Sequence, residues 1–126
     1  MALAIEAKTV PQGEQRYPTV GDYWEEDGKT VFRISEMDNS DYEFLVLIHE
    51  LIESYLCKKD GVGFNDIDSF DKTFESLRKD GDTAEPGDDI NAPYYKQHQF
   101  ASAIERLIAL QIGVQWGEYD KKVNEL

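Results

Sequence analysis

Two histidines are the only imidazoles in this chain of 126 residues, and each stands on a predicted helix with a glutamate on the same face. His49 and Glu53 are four residues apart in the string His49-Glu50-Leu51-Ile52-Glu53, and His98 and Glu105 are seven apart. At about 100° per residue both spacings return to nearly the same side of a helix. Two such helices set face to face would gather two imidazoles and two carboxylates, which is the composition of a divalent-metal site. Zinc is the expected ion, since it commonly takes three nitrogen or carboxylate ligands plus water when it is catalytic. His49, Glu53 and His98 supply that two-histidine, one-carboxylate set. Glu105 is the expected fourth ligand; it would close the site, help to build a second metal position, or orient His98 from behind. Glu50 is the candidate general base of a metal-dependent hydrolase, because it directly follows the ligand histidine as in the His-Glu-x-x-His helix.

The competing arrangement is a polar core in which each histidine is hydrogen-bonded to the glutamate of its own helix. Such pairs contribute only about 0.2–0.5 kcal/mol when exposed. Both glutamates fall in mostly apolar sectors of their helices, where an ionised carboxylate is costly unless it is paired or bound to a metal. Glu85, Asp88 and Asp89 add hard oxygen donors on an acidic loop that is otherwise simply solvated. Of the adjacent rings Tyr94 and Tyr95, one is expected in the core; for the other, packing alone is favoured over a place along a pocket wall.

The elements that must position these groups follow from pattern and punctuation. Residues 1–16 lack clear periodicity and read as a flexible arm, with a single domain over 17–126. Tyr17 to Trp24 and Lys29 to Ser35 flank Glu25-Glu26-Asp27-Gly28, an Asp-Gly turn that predicts a hairpin with Thr30, Phe32 and Ile34 on one face. Asn39, Ser40 and Asp41 can cap a helix that runs to about Lys59 and stops at Asp60-Gly61. Its polar strip is narrow, which predicts a central, largely covered helix. Asp66 can cap a second helix through Arg78, with Ile67, Phe70, Phe74 and Leu77 as its apolar stripe. The stretch from Asp80 to Ala92 contains a Pro-Gly turn and reads as a long loop. Pro93 suits the first turn of a third helix ending at Gly113, and Trp116 to Leu126 suits a short terminal helix. The fold class expected is α+β, an N-terminal β-hairpin packed on a bundle of three to four helices.

Composition limits the partners. A formal net charge of −13 leaves no basic patch to displace counterions from a phosphate backbone, so no nucleic-acid partner is expected. Cys57 is the one cysteine, which excludes an internal disulfide and suits a reducing cytoplasm. No apolar run approaches the ~18–20 residues of a membrane span, so no membrane partner is expected either. What remains is an unknown small substrate or, if the polar core is only structural, a host protein bound by the acidic surface.

The string around His49, followed by Gly61, Phe70-Asp71, Glu85-Pro86-Gly87-Asp88, Ala92-Pro93-Tyr94, His98 and Glu105, resembles a group of small phage and prophage proteins. The resemblance spans roughly residues 17–120 and implies a phage setting without implying an activity. His49-Glu50-Leu51-Ile52-Glu53 also resembles the zincin metalloprotease helix, except that Glu53 stands where that pattern has its second histidine. Glu50 and Glu53 further resemble the first half of the Glu-x-x-Glu and Glu-x-x-Asp pair with which all-α nucleotide pyrophosphatases hold magnesium. In the second half, Asp68-Ser69-Phe70-Asp71 has aspartate in place of glutamate.

Overall fold

The computed structural model describes residues 2–126 and has an α+β fold, with a three-stranded sheet and four helices. Strands β1 (Ile5–Val10), β2 (Gly21–Glu26) and β3 (Lys29–Ser35) lie in the order β1-β3-β2. β2 runs antiparallel to β3 with Tyr23 opposite Phe32, and the chain reverses through Asp27 and Gly28. Both turn residues have positive φ, 52° and 78°, the combination whose twist matches that of paired strands. Central β3 buries Phe32 and Ile34 in the two apolar clusters under the helices.

Residues 5–10 differ from the flexible arm read from the sequence, because they form edge strand β1, parallel to β3, with Ala7 opposite Phe32. Most of this strand is exposed, so it has no apolar face for a periodic pattern to reveal. Its docking is ionic as well as hydrogen-bonded: Glu6 meets Lys29 at 2.5 Å and Arg33 at 2.7 Å.

Helix α1 (Ser40–Lys59) begins where the Asn39 side chain accepts a hydrogen bond from the Tyr42 amide at 3.1 Å. Asp41 and Glu43 in its first turn and Lys58 and Lys59 in its last suit the helix dipole. This helix packs on β2, β3 and α3 (Tyr95–Gln111), and is the central element that its narrow polar strip predicts. Helix α2 (Phe64–Ser76) starts two residues before Asp66, with Gly63 as its N-cap, and leaves Leu77 outside and exposed. Its stripe packs through Ile67, Phe64 and Phe70 instead. Helix α3 starts after Pro93, beyond a turn in which the Ala92 amide donates to the Asp89 carbonyl. Helix α4 (Trp116–Asn124) returns over α3 and buries Tyr119. No helix among the described residues is long and apolar enough to cross a membrane.

Candidate metal centre

α1 and α3 pack with His49 beside Glu105 and Glu53 beside His98, so the two helices run antiparallel where they meet. This puts the rings of His49 and His98 4.6 Å apart between centroids. His49 Nε2 lies 3.0 Å from Glu53 Oε2, His98 Nδ1 lies 2.9 Å from the same oxygen, and the two nitrogens are 3.1 Å apart. Three donor atoms from three side chains, all buried, therefore form a nearly equilateral triangle. An ion about 2.0–2.1 Å from each would see them at roughly right angles, as one face of a coordination sphere. His49, Glu53 and His98 could hold a metal ion.

The far side of each imidazole faces a carboxylate. His49 Nδ1 is 2.8 Å from Glu105 Oε1, and Tyr119 donates its hydroxyl to Glu105 Oε2 at 2.6 Å. His98 Nε2 is 2.9 Å from Glu85 and 3.3 Å from Asp88. A ring with one proton keeps it on the nitrogen nearest negative charge, which leaves the other lone pair directed inward at Glu53. Glu105, hydrogen-bonded to His49, thus sets that ring's tautomer for coordination, and at His98 the negative charge of Glu85 and Asp88 favours the same choice without an aligned hydrogen bond. Tyr23 completes the set by donating to the second oxygen of Glu53 at 3.0 Å.

In the metal-free protein the same triangle is held by protons. Burial alone would lower the pKa of His49, but Glu105 and Glu53 outweigh it and hold it well above the usual imidazole value. His98 is likewise opposed by burial and raised to about 10 by Glu53 and Glu85. Burial would raise Glu53, yet the two imidazoles bring it well below the ordinary carboxyl range. Coordination requires neutral imidazole, so a metal ion would displace these protons.

The structure does not bring Glu105 into the donor triangle, where the sequence suggested a fourth ligand. It sits on the outer nitrogen of His49, on the other helix, and acts on that ring rather than on His98. Glu50 lies half-buried on the wall of the cavity into which His49, Glu53 and His98 open, a space of about 480 Å³. Its side chain lies against Gly21: a Cβ there would stand 2.8 Å from Glu50 Oε1. Burial raises the Glu50 pKa well above the ordinary value, Glu53 and Asp22 add to the rise, and the two histidines oppose it.

The loop from Asp80 to Ala92 contributes more than pattern suggested. A short 3-10 turn, Pro86–Asp88, lays Gly87 flat against His98, and a Cβ on Gly87 would stand 2.3 Å from the ring carbon Cγ. Only glycine fits there. The same turn points Glu85 and Asp88 at His98, while Asp89 accepts from the Asn91 amide at 2.9 Å and takes no part. Tyr94 is the buried member of the tyrosine pair and donates to Asp71 at 2.5 Å, whereas Tyr95 packs beside the apolar cluster. Tyr23 and Tyr119 belong to this cavity without a sequence motif to announce them, whereas Gly87 and Asp71 stand in the strings that carry the resemblances.

No protein-family model matches the chain, and neither a curated protein nor a solved structure is significantly similar to it.

Proposed function

We propose that the protein binds a divalent metal ion, zinc in first place, through His49 Nε2, His98 Nδ1 and Glu53, and that it is a metal-dependent hydrolase with Glu50 as general base. The observation that carries this reading is the convergence of three buried donor atoms, from two helices, at about 3 Å from one another. The cavity beside the triangle has the volume of a small-molecule site. A metal held there would supply Lewis-acid activation of water, and Glu50, on the wall of the same cavity, would take up the proton. Arg78 is the only lysine or arginine in the cavity lining among the described residues, against many carboxylates. The expected substrates are therefore neutral or cationic amides and esters rather than polyanions.

The test is elemental analysis of untagged protein purified without chelators, with near-stoichiometric zinc expected. Protein that stays metal-free after incubation with zinc, manganese, iron and nickel would remove the reading. A screen of peptides, amides, phosphoesters and nucleotides then supplies a substrate, on which Glu50→Gln keeps the metal and loses turnover by orders of magnitude.

A second reading, a magnesium-dependent nucleotide pyrophosphatase, draws on one observation: Glu50, Glu53, Asp68 and Asp71 all line the same cavity. Among the described residues they do not form a donor cluster of the closeness seen at His49, Glu53 and His98. Magnesium-dependent release of pyrophosphate from nucleoside triphosphates, unaffected by His49→Ala, would favour it.

A further inference from the structure

The buried histidine His98 has a second face that the inner triangle does not use. The residue is 5% exposed, and its Nε2 is buried with no hydrogen-bond partner. Yet two carboxylate oxygens stand beside that nitrogen, Glu85 Oε2 at 2.9 Å and Asp88 Oδ1 at 3.3 Å. Short distance without alignment has a specific meaning. An acceptor for a ring N–H lies along the N–H direction. Two ligands of one ion, each about 2.1 Å from it and at near right angles, stand about 3 Å apart and aim at the ion instead of at each other.

The geometry points to a second divalent-cation site at the rim of the cavity, formed by His98 Nε2, Glu85 and Asp88, for a six-coordinate ion of the manganese(II) type. One imidazole and two carboxylates are the donor mixture such an ion accepts, with water in the remaining positions. Glu85 and Asp88 side chains are 49% and 54% exposed, which leaves room for that water. The turn is held in place by the Asp88 amide donating to the Glu85 carbonyl at 3.1 Å and by the contact of Gly87 with the ring. Gln99 donates to Asp88 Oδ1 at 2.8 Å and fixes that carboxylate from outside.

The rim site shares His98 with the proposed inner one, but its own donors do not include His49 or Glu53. With both sites filled, His98 bridges as imidazolate: the Nε2 proton passes to solvent as the Nε2–metal bond forms, and the ions stand about 6 Å apart, two metal–nitrogen bonds plus the ring. With the inner site empty, His98 holds a proton on each nitrogen, and binding at the rim releases only the one on Nε2 to solvent while Nδ1–H stays directed at Glu53.

The experiment is titration of the zinc-treated full chain with manganese(II) chloride, reading free manganese by electron paramagnetic resonance and bound zinc by elemental analysis. One manganese per chain is expected, with binding weakened at least tenfold in Glu85→Gln/Asp88→Asn; zinc content is read in parallel, because the same carboxylates stand behind His98. These two side chains are on the surface, so the variant should fold, and circular dichroism checks it. No manganese binding by wild type, or binding in the double variant within twofold of wild type, overturns the rim site. Zinc retained with either result leaves the inner site standing. Conversely, manganese binding that depends on Glu85 and Asp88 in a protein that takes no zinc would uphold the rim site while the inner one fails.

Discussion

Glu53 and Asp71 are carboxylates of the same cavity buried to nearly the same depth, 4% and 7% exposed, yet their proton affinities move in opposite directions. Burial pushes both upward. Around Glu53 that push is overcome by His49 and His98, each within about 3 Å of one oxygen. Around Asp71 the donors are the hydroxyls of Tyr94 at 2.5 Å and Tyr17 at 3.2 Å, which are neutral and offset burial only in part. Asp71 is pushed up to about 6, with Glu53 and Asp68 adding to the rise. The partner's capacity for charge, and not depth, decides which carboxylate keeps its charge. One cluster is therefore an array of ionised groups in which a metal can replace protons; the other is satisfied by a single proton.

The largest effect expected from this contrast is at Glu53. Glu53→Gln leaves two buried imidazoles without their shared counter-ion, and breaking a buried pair in this way should cost about 3–5 kcal/mol. Urea denaturation of metal-free protein measures it, and the stabilisation by added zinc should vanish in the same variant. Asp71→Asn removes charge at equal depth and should do the reverse at neutral pH. The folded pKa of Asp71 is raised from 3.8 to about 6, so its favourable contribution is complete below pH 3.8 and is lost as pH rises through 6. At pH 7 its ionised form costs up to about 3 kcal/mol. Asp71→Asn should flatten the stability profile between about pH 4 and 6 and equal or exceed wild type at pH 7. A neutral-pH loss at Asp71→Asn larger than that at Glu53→Gln would break the comparison.

How much of this was legible in the sequence depends on which contacts are local. The spacing of His49 and Glu53 on one helix face, and of His98 and Glu105 on another, is fixed by helix periodicity, and both faces are buried as expected. The pairing between faces is tertiary. Antiparallel packing of α1 and α3 sends Glu105 to His49, an assignment that intrahelical spacing cannot make. Strand β1 was illegible for a related reason, since its partner is the distant β3 and its own side chains bury little. Gly87 was readable as part of a Pro-Gly turn, but not as the residue that admits His98 against its backbone. Tyr23 and Tyr119 look like any core aromatics until their hydroxyls are seen to meet Glu53 and Glu105.

Gly87→Ala sharpens the contrast at smaller magnitude, because it disturbs the histidine cluster and leaves Asp71 alone. The new methyl group would stand 2.3 Å from His98 Cγ, closer than any such contact tolerates. Either the turn lifts or the ring rotates, at about 1–3 kcal/mol for overpacking. Thermal denaturation should show the loss, and metal affinity should fall with it because His98 Nδ1 leaves the triangle. A variant with unchanged melting temperature and unchanged zinc affinity would show that the turn does not hold the ring.

The smallest expected effect is at Tyr119, one contact removed from the donors. Its hydroxyl donates to Glu105 Oε2 at 2.6 Å, and Glu105 Oε1 in turn faces His49 Nδ1 at 2.8 Å. Tyr119→Phe keeps the ring in its apolar cluster with Ile34 and Leu45 and deletes one hydrogen bond to a charged group. The stability cost should be about 1 kcal/mol, with water entering to replace the hydroxyl. The informative readout is metal affinity. Glu105 freed on one side can turn away from His49, and loss of such support behind a ligand histidine weakens metal binding about 10–100-fold. If Glu105 and Tyr119 serve only the core, Tyr119→Phe will lower the melting temperature and leave the zinc dissociation constant unchanged. A weakened zinc constant with a nearly unchanged melting temperature would instead place the Tyr119–Glu105–His49 chain behind the metal.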